Sequence, residues 1–199
     1  MRCLLIVLDN ESYIHYFPLA TAYIASVLRK AGHDVTIYNQ DMNHYPEEHL
    51  TRVLENLSFD LVGVGAIAGY YTYRKVLKIS EAVNRAKNRN TFRYIIGGHL
   101  VSPYPEYFLE KTQADNICVG ESEGIMNIID DNNDKGILKS YPIPDLDTIP
   151  FPAYDLFPMW YYRLQRQPNI NPSEFLASVV SGRGCYANCN FCCIKGTKI

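Results

Sequence analysis

Cys185-Tyr-Ala-Asn-Cys189-Asn-Phe-Cys192 places three thiols at spacings of four and three residues, just after an apolar run and a Gly-Arg-Gly turn. Three thiolates on one small loop can bind three irons of a cubane [4Fe–4S] cluster and leave the fourth iron open to a small molecule. A tetrahedral zinc site using Cys185, Cys189, Cys192 and Cys193 is the competing reading. Adjacent Cys192 and Cys193 point apart unless the backbone folds sharply, and no second cysteine pair or Cys-His pair is present to complete a zinc site. Unmetallated thiols are the third reading. The cluster is favoured, with Cys193 a spare. The remaining two of the six cysteines, Cys3 and Cys118, lie in apolar runs and read as small inert hydrophobes. A disulfide framework would spread cysteines along the chain, so this crowding favours metal in a reducing compartment.

Glycines and small residues recur after apolar runs at Gly65, Ala66, Ala68 and Gly69, then at Gly97-Gly98-His99, then at Gly120-Glu121-Ser122-Glu123. Such turns let backbone approach a ligand, and their amides can donate to its oxygens. Each alone is most simply a tight turn. Glu121 and Glu123 most simply favour the positive end of the helix they precede, with ligand contact as the alternative. His33, His44 and His49 read as structural, and His99 as a loop residue.

These residues need elements to hold them. Short apolar runs at Cys3–Leu8, Val35–Tyr38, Leu61–Ala66, Tyr94–Ile96 and Asn116–Val119 predict buried parallel strands. Helices are predicted between them, opening at Pro18 and Pro46, from Thr72, over Pro103–Lys111 and over Ser122–Ile129. The fold class is α/β: a doubly wound, flavodoxin- or Rossmann-like sheet of five parallel strands, with the first and third central. Ligands of such sheets bind at the carboxyl ends of the strands, where the glycine-rich turns fall. Residues 1–135 are expected to form this domain. Residues 136–173, with seven prolines from Pro142 to Pro172 and the aromatics Tyr154, Trp160, Tyr161 and Tyr162, form a connector that packs on something. Residues 174–199 then open a second domain with a strand at Phe175–Val180.

The 199 residues are 47% hydrophobic and 20% charged, enough for one good core. A net charge of −2 gives no electrostatic case for nucleic acid. No apolar run approaches the roughly 20 residues that span a bilayer, and the run after Met1 meets Asp9 too soon for a signal peptide. A cytoplasmic protein without nucleic-acid or membrane partners is expected.

The cysteine motif resembles the signature of radical S-adenosylmethionine enzymes. The order of the glycine turns, the segment Leu146–Asp155 and Ser181-Gly-Arg-Gly-Cys185 resembles the subgroup in which a cobalamin-binding domain precedes the radical barrel. That resemblance implies three cofactors: a [4Fe–4S] cluster on Cys185, Cys189 and Cys192, S-adenosylmethionine on its open iron, and cobalamin. It puts Phe191 beside the adenine. It puts Gly65, Ala66, Gly69, Gly97, Gly98, His99, Gly120 and Glu121 against the corrinoid. It implies methyl transfer to an unactivated carbon through a 5′-deoxyadenosyl radical and methylcobalamin, an external electron donor of flavodoxin or ferredoxin type, and a small-molecule or peptide substrate. A radical cyclase or rearrangement enzyme would use the same parts. A flavodoxin-like binding module with a non-catalytic cysteine tail is the rival from another class. Many cobalamin proteins carry Asp-x-His-x-x-Gly after the first strand, but here Asp9 and His15 lie six apart with no following glycine, so His15 is not expected on cobalt. The chain ends seven residues after Cys192. Most of the barrel is therefore expected to lie outside it, leaving the strand at Phe175–Val180 without pairing neighbours.

Overall fold

The computed structural model describes residues 1–11, 16–125, 129, 135–162, 171, 173, 174, 177–185, 187, 189 and 190. Six parallel strands form one sheet: β1 (Arg2–Val7), β2 (Asp34–Asn39), β3 (Leu61–Gly65), β4 (Arg93–Gly97), β5 (Asn116–Val119) and β6 (Gly136–Lys139), in the order 2-1-3-4-5-6. The five strands expected from apolar runs are present with first and third adjacent. The sixth corrects the count. Gly136-Ile-Leu-Lys139 lies beyond residue 135, where the connector was expected to begin. With only Leu138 buried in this four-residue edge strand, its apolar signal is too short to stand out.

Five helices matter for the site: α1 (Leu19–Lys30), α2 (Gln40–Asn43), α3 (Glu47–Asn56), α4 (Tyr70–Arg85) and α5 (Pro105–Thr112). The helix expected over Ser122–Ile129 begins as a 3-10 turn at Ser122–Ile125, and most of its remainder lies outside the described residues. Alternation along the strands divides the core in two. Leu4, Ile6, Val62, Val64, Tyr94, Ile96 and Ile117 face one side and pack with α3, α4 and α5 through Leu50, Leu54, Val76, Ile79, Val83 and Phe108. Cys3, Leu5, Val35, Leu61, Ile95 and Cys118 face the other, where α1 contributes Ala25 and Leu28, joined by Ile129, Leu138 and Ala153. Burial pushes the Cys3 thiol up to about 11 and raises that of Cys118 as well, which suits inert core cysteines.

Among the described residues the second face has one long helix, α1, and the connector adds to its cover. Ala153 N donates to Ala22 O of α1 at 3.0 Å, and Lys30 Nζ reaches Thr148 O at 3.1 Å. Further on, Phe17 stacks on Tyr154 and meets Phe157 and Tyr162 edge-on, with centroids 5.1–5.3 Å apart. Tyr162 lies in α6 (Met159–Tyr162), where its hydroxyl accepts from Asn39 Nδ2 at 2.7 Å. Tyr154, Tyr161 and Tyr162 do pack, as their type suggested, whereas Trp160 is 60% exposed. Beyond it, residues 177–180 are exposed and form no strand, while Phe175 and Leu176 of that expected strand lie outside the described residues.

Candidate functional site at the carboxyl edge of the sheet

The strand order reverses at β1 and β3, with β2 added on one side and β3 to β6 on the other, so the crevice above those strands and the loops after β4 and β5 form the natural binding edge. After β1, Asp9 accepts from Glu11 N at 2.8 Å through one oxygen and lies 3.0 Å from His44 Nδ1 through the other. Asn10 N donates to Asp41 Oδ1 at 2.9 Å. These contacts tie the first two loops together and explain His44 as structural. His49 is engaged with Tyr38 OH at 3.0 Å and stacks on Tyr45, while His33 Nδ1 lies 3.3 Å from the amino terminus. His15 lies outside the described residues.

The β3 and β4 loops are built as one unit. Ala66 is buried; its N–H donates to Gly97 O at 2.8 Å and its carbonyl accepts from Leu100 N at 3.1 Å. Gly98 adopts φ +106°, and a Cβ there would stand 2.4 Å from Ala66 O. Gly97 is buried too, its missing Cβ position 3.0 Å from Ser122 Oγ. Ala66 and Gly97 thus shape the loops from beneath. Gly65, Ala68, Gly69, His99 and Gly120 are exposed on them. Around these small residues stands a rim that sequence reading missed: Ile67, Tyr70, Tyr71 and Tyr104 are between 65% and 71% exposed. Single exposed aromatics carry no sequence signal until the fold gathers them.

After β5, Gly120 takes φ +101°, with its absent Cβ 2.2 Å from Ser140 O, so this loop lies against the chain leaving β6. Glu121 Oε2 accepts from Ile143 N at 2.9 Å. The two acids also converge on Arg183 of the Gly-Arg-Gly turn. Its Nη2 donates to Glu123 Oε1 at 2.6 Å, its Nη1 lies 3.4 Å from Glu121 Oε2, and its guanidinium covers the Tyr23 ring of α1 at 5.5 Å. Burial disfavours the charge on Arg183, but Glu123 and then Glu121 outweigh it and raise its pKa above the ordinary guanidinium value. Sequence reading quoted Arg183 inside the turn without giving it a role. A pairing across sixty residues has no local signature.

Of the thiols, Cys185 is exposed and Cys189 half-buried; Cys192, Cys193 and Phe191 lie outside the described residues. Among the described residues no three His, Cys, Asp or Glu side chains converge on a metal position, and no helix is long and apolar enough to cross a membrane. The edge does suit a corrinoid. A flat macrocycle bordered by amides needs open backbone beneath and apolar contact at its margin, and the small exposed residues and aromatic rim offer both.

Residues 6–130 match the model of the B12 binding domain family. An uncharacterized methyltransferase of Pyrococcus horikoshii is 28% identical over 221 residues, covering 96% of this chain and 45% of that protein, so the chain spans about half the length of this relative. Among solved structures, a cobalamin-binding protein from Desulfitobacterium hafniense aligns with TM-score 0.51 at 15% identity, over 65% of this chain and 58% of that one. The cobalamin-dependent S-adenosylmethionine radical enzyme OxsB aligns with TM-score 0.54 at 18% identity, over 64% of this chain and 18% of that one. The radical S-adenosylmethionine methyltransferase TsrM from Kitasatospora setae aligns with TM-score 0.52 at 18% identity, over 64% of this chain and 24% of that one.

Proposed function

Because the chain belongs to the B12 binding domain family, we propose that it forms the cobalamin-binding and cluster-bearing part of a cobalamin-dependent radical S-adenosylmethionine methyltransferase acting on an unactivated carbon. Bound cobalamin would supply a methyl carrier, and a cluster with S-adenosylmethionine would supply the radical. The loops at Gly65–Gly69, Gly98–His99 and Gly120 would hold the corrinoid by backbone amides and the apolar rim. Cys185, Cys189 and Cys192 would hold the cluster, with Phe191 beside the adenine. An external electron donor and a small-molecule or peptide substrate complete the proposal. The observation that carries it is that the segment leading into the cysteines meets the same edge of the sheet as the glycine turns, through Arg183.

Cobalamin titration of the chain, followed by absorbance and by cobalt(II) spin resonance, tests the first half. Saturable binding is expected, without imidazole nitrogen splitting from the protein and unchanged in His15→Ala. Failure to bind would overturn the proposal, and splitting that disappears in His15→Ala would overturn the histidine-free mode. Anaerobic reconstitution tests the second half. Alanine at Cys185, Cys189 or Cys192 should abolish iron binding, whereas Cys193→Ala should retain it.

A further inference from the structure

Every residue from 177 to 185 is exposed except Arg183. This stretch carries the chain into Cys185, and apart from the hydroxyl of Tyr154 on Ser178 O its described side-chain bonds are those of Arg183. The Glu121 carboxylate has a partner independent of it, and Glu123 stands on a turn of its own. Glu121 is held by Ile143 N at 2.9 Å, and Glu123, only 9% exposed, belongs to the 3-10 turn that follows β5. The flat guanidinium bridges two carboxylates while its face covers Tyr23, which constrains its orientation as well as its position. Cys185 is two residues away, so the orientation of Arg183 sets where the loop departs.

We propose that Arg183 is a positioning residue: held between Glu121 and Glu123 over Tyr23, it fixes the approach of the cysteine loop to the carboxyl edge, so that cluster and corrinoid face one cavity. The second clause rests on the function proposed above. The first stands without it.

A nitroxide attached in Ser181→Cys, with serine at Cys185, Cys189, Cys192 and Cys193, tests the clamp through its mobility in the full chain. Arg183→Gln and Glu123→Gln should each raise the fast-moving fraction about tenfold or more, as loss of a hydrogen bond to a charged group implies. The double variant should go no further, and strands β1 to β5 should keep their hydrogen-exchange protection. An unchanged spectrum at position 181, or loss of protection throughout the sheet, would overturn it. A nitroxide on Cys185, with serine at Cys189, Cys192 and Cys193, tests the positioning against bound cobalt(II) cobalamin. Arg183→Gln should keep cobalamin affinity yet replace one narrow label–cobalt distance by a broad distribution. Arg183→Lys, able to reach one carboxylate, should fall between. A distribution unaltered by Arg183→Gln would refute the positioning role. A chain that binds no cobalamin would refute the functional proposal while the mobility measurement still decides the clamp.

Discussion

At the scale of single residues, two glycines of these turns are required by close backbone approach. Gly98 and Gly120 combine a left-handed backbone with missing Cβ positions 2.4 Å and 2.2 Å from backbone carbonyls of Ala66 and Ser140. Neither carbonyl can swing away without breaking a loop or the exit of β6. Alanine at either should destabilise the fold by at least about 2 kcal/mol, from strained φ and the clash together. At Gly136, φ is also positive but nothing lies within 4 Å, so alanine there should cost less. Urea unfolding of the three variants checks the order. Equal losses at all three would show that backbone strain alone governs them. The sequence marked the turns correctly, because glycine after a parallel strand signals either constraint. It could not say which glycines face a ligand, since a strand-end carbonyl and a bound ring impose the same residue type. The aromatic rim and Arg183 stayed invisible for the opposite reason: they become a group only through contacts between distant loops.

At the scale of elements, Asp115 pins β5 into the sheet. Its Oδ2 accepts from Tyr94 N at 2.8 Å and from Arg89 Nη1 at 2.9 Å, and Oδ1 meets Lys135 at 2.8 Å. Burial opposes its charge, but Lys135, the Tyr94 amide and Arg89 together hold its pKa below the ordinary carboxylate value. Lys135 is 79% exposed and screened, so the buried amide and Arg89 carry most of the effect on stability. A lowered folded-state pKa means that the stabilisation is complete above the unfolded value of about 3.9 and is lost as pH falls through the folded one. Asp115→Asn should therefore cost about 2–3 kcal/mol at pH 7 and flatten the acid limb of the stability curve below pH 4. Chemical unfolding at pH 7, 5 and 3 measures both, and an undiminished acid limb in the variant would place that titration elsewhere. Strands β1, β3, β4 and β5 were legible because two-sided burial leaves apolar runs, and β2 because Val35, Ile37 and Tyr38 still mark its length. β6 was not, because one buried leucine in an edge strand leaves no such run.

At the scale of the whole molecule, the connector belongs to the core it crosses. Leu138 and Ala153 fill the second face of the sheet, while Phe157 and Tyr162 close over Phe17 and Val7. A chain cut after residue 135, the boundary that composition suggests, should lose at least about 3 kcal/mol relative to one cut after residue 162, by exposure of those contacts. Thermal unfolding of the two would decide it; equal stability would restore the boundary at 135. Proline content hid this, because it excludes long helices and strands without excluding close packing.

Helix α1 has one further consequence. Its inner side packs on the sheet through Ala25 and Leu28, one flank carries the connector through Ala22, Ser26 and Lys30, and Tyr23 receives Arg183. Three bodies are thus gauged from one rigid rod of twelve residues. A tilt of that rod would carry the connector and the approach to the cysteines with it, like pointers fixed to one axle. On the function proposed above, the spacing between corrinoid and cluster would then be adjustable by substitutions on this helix.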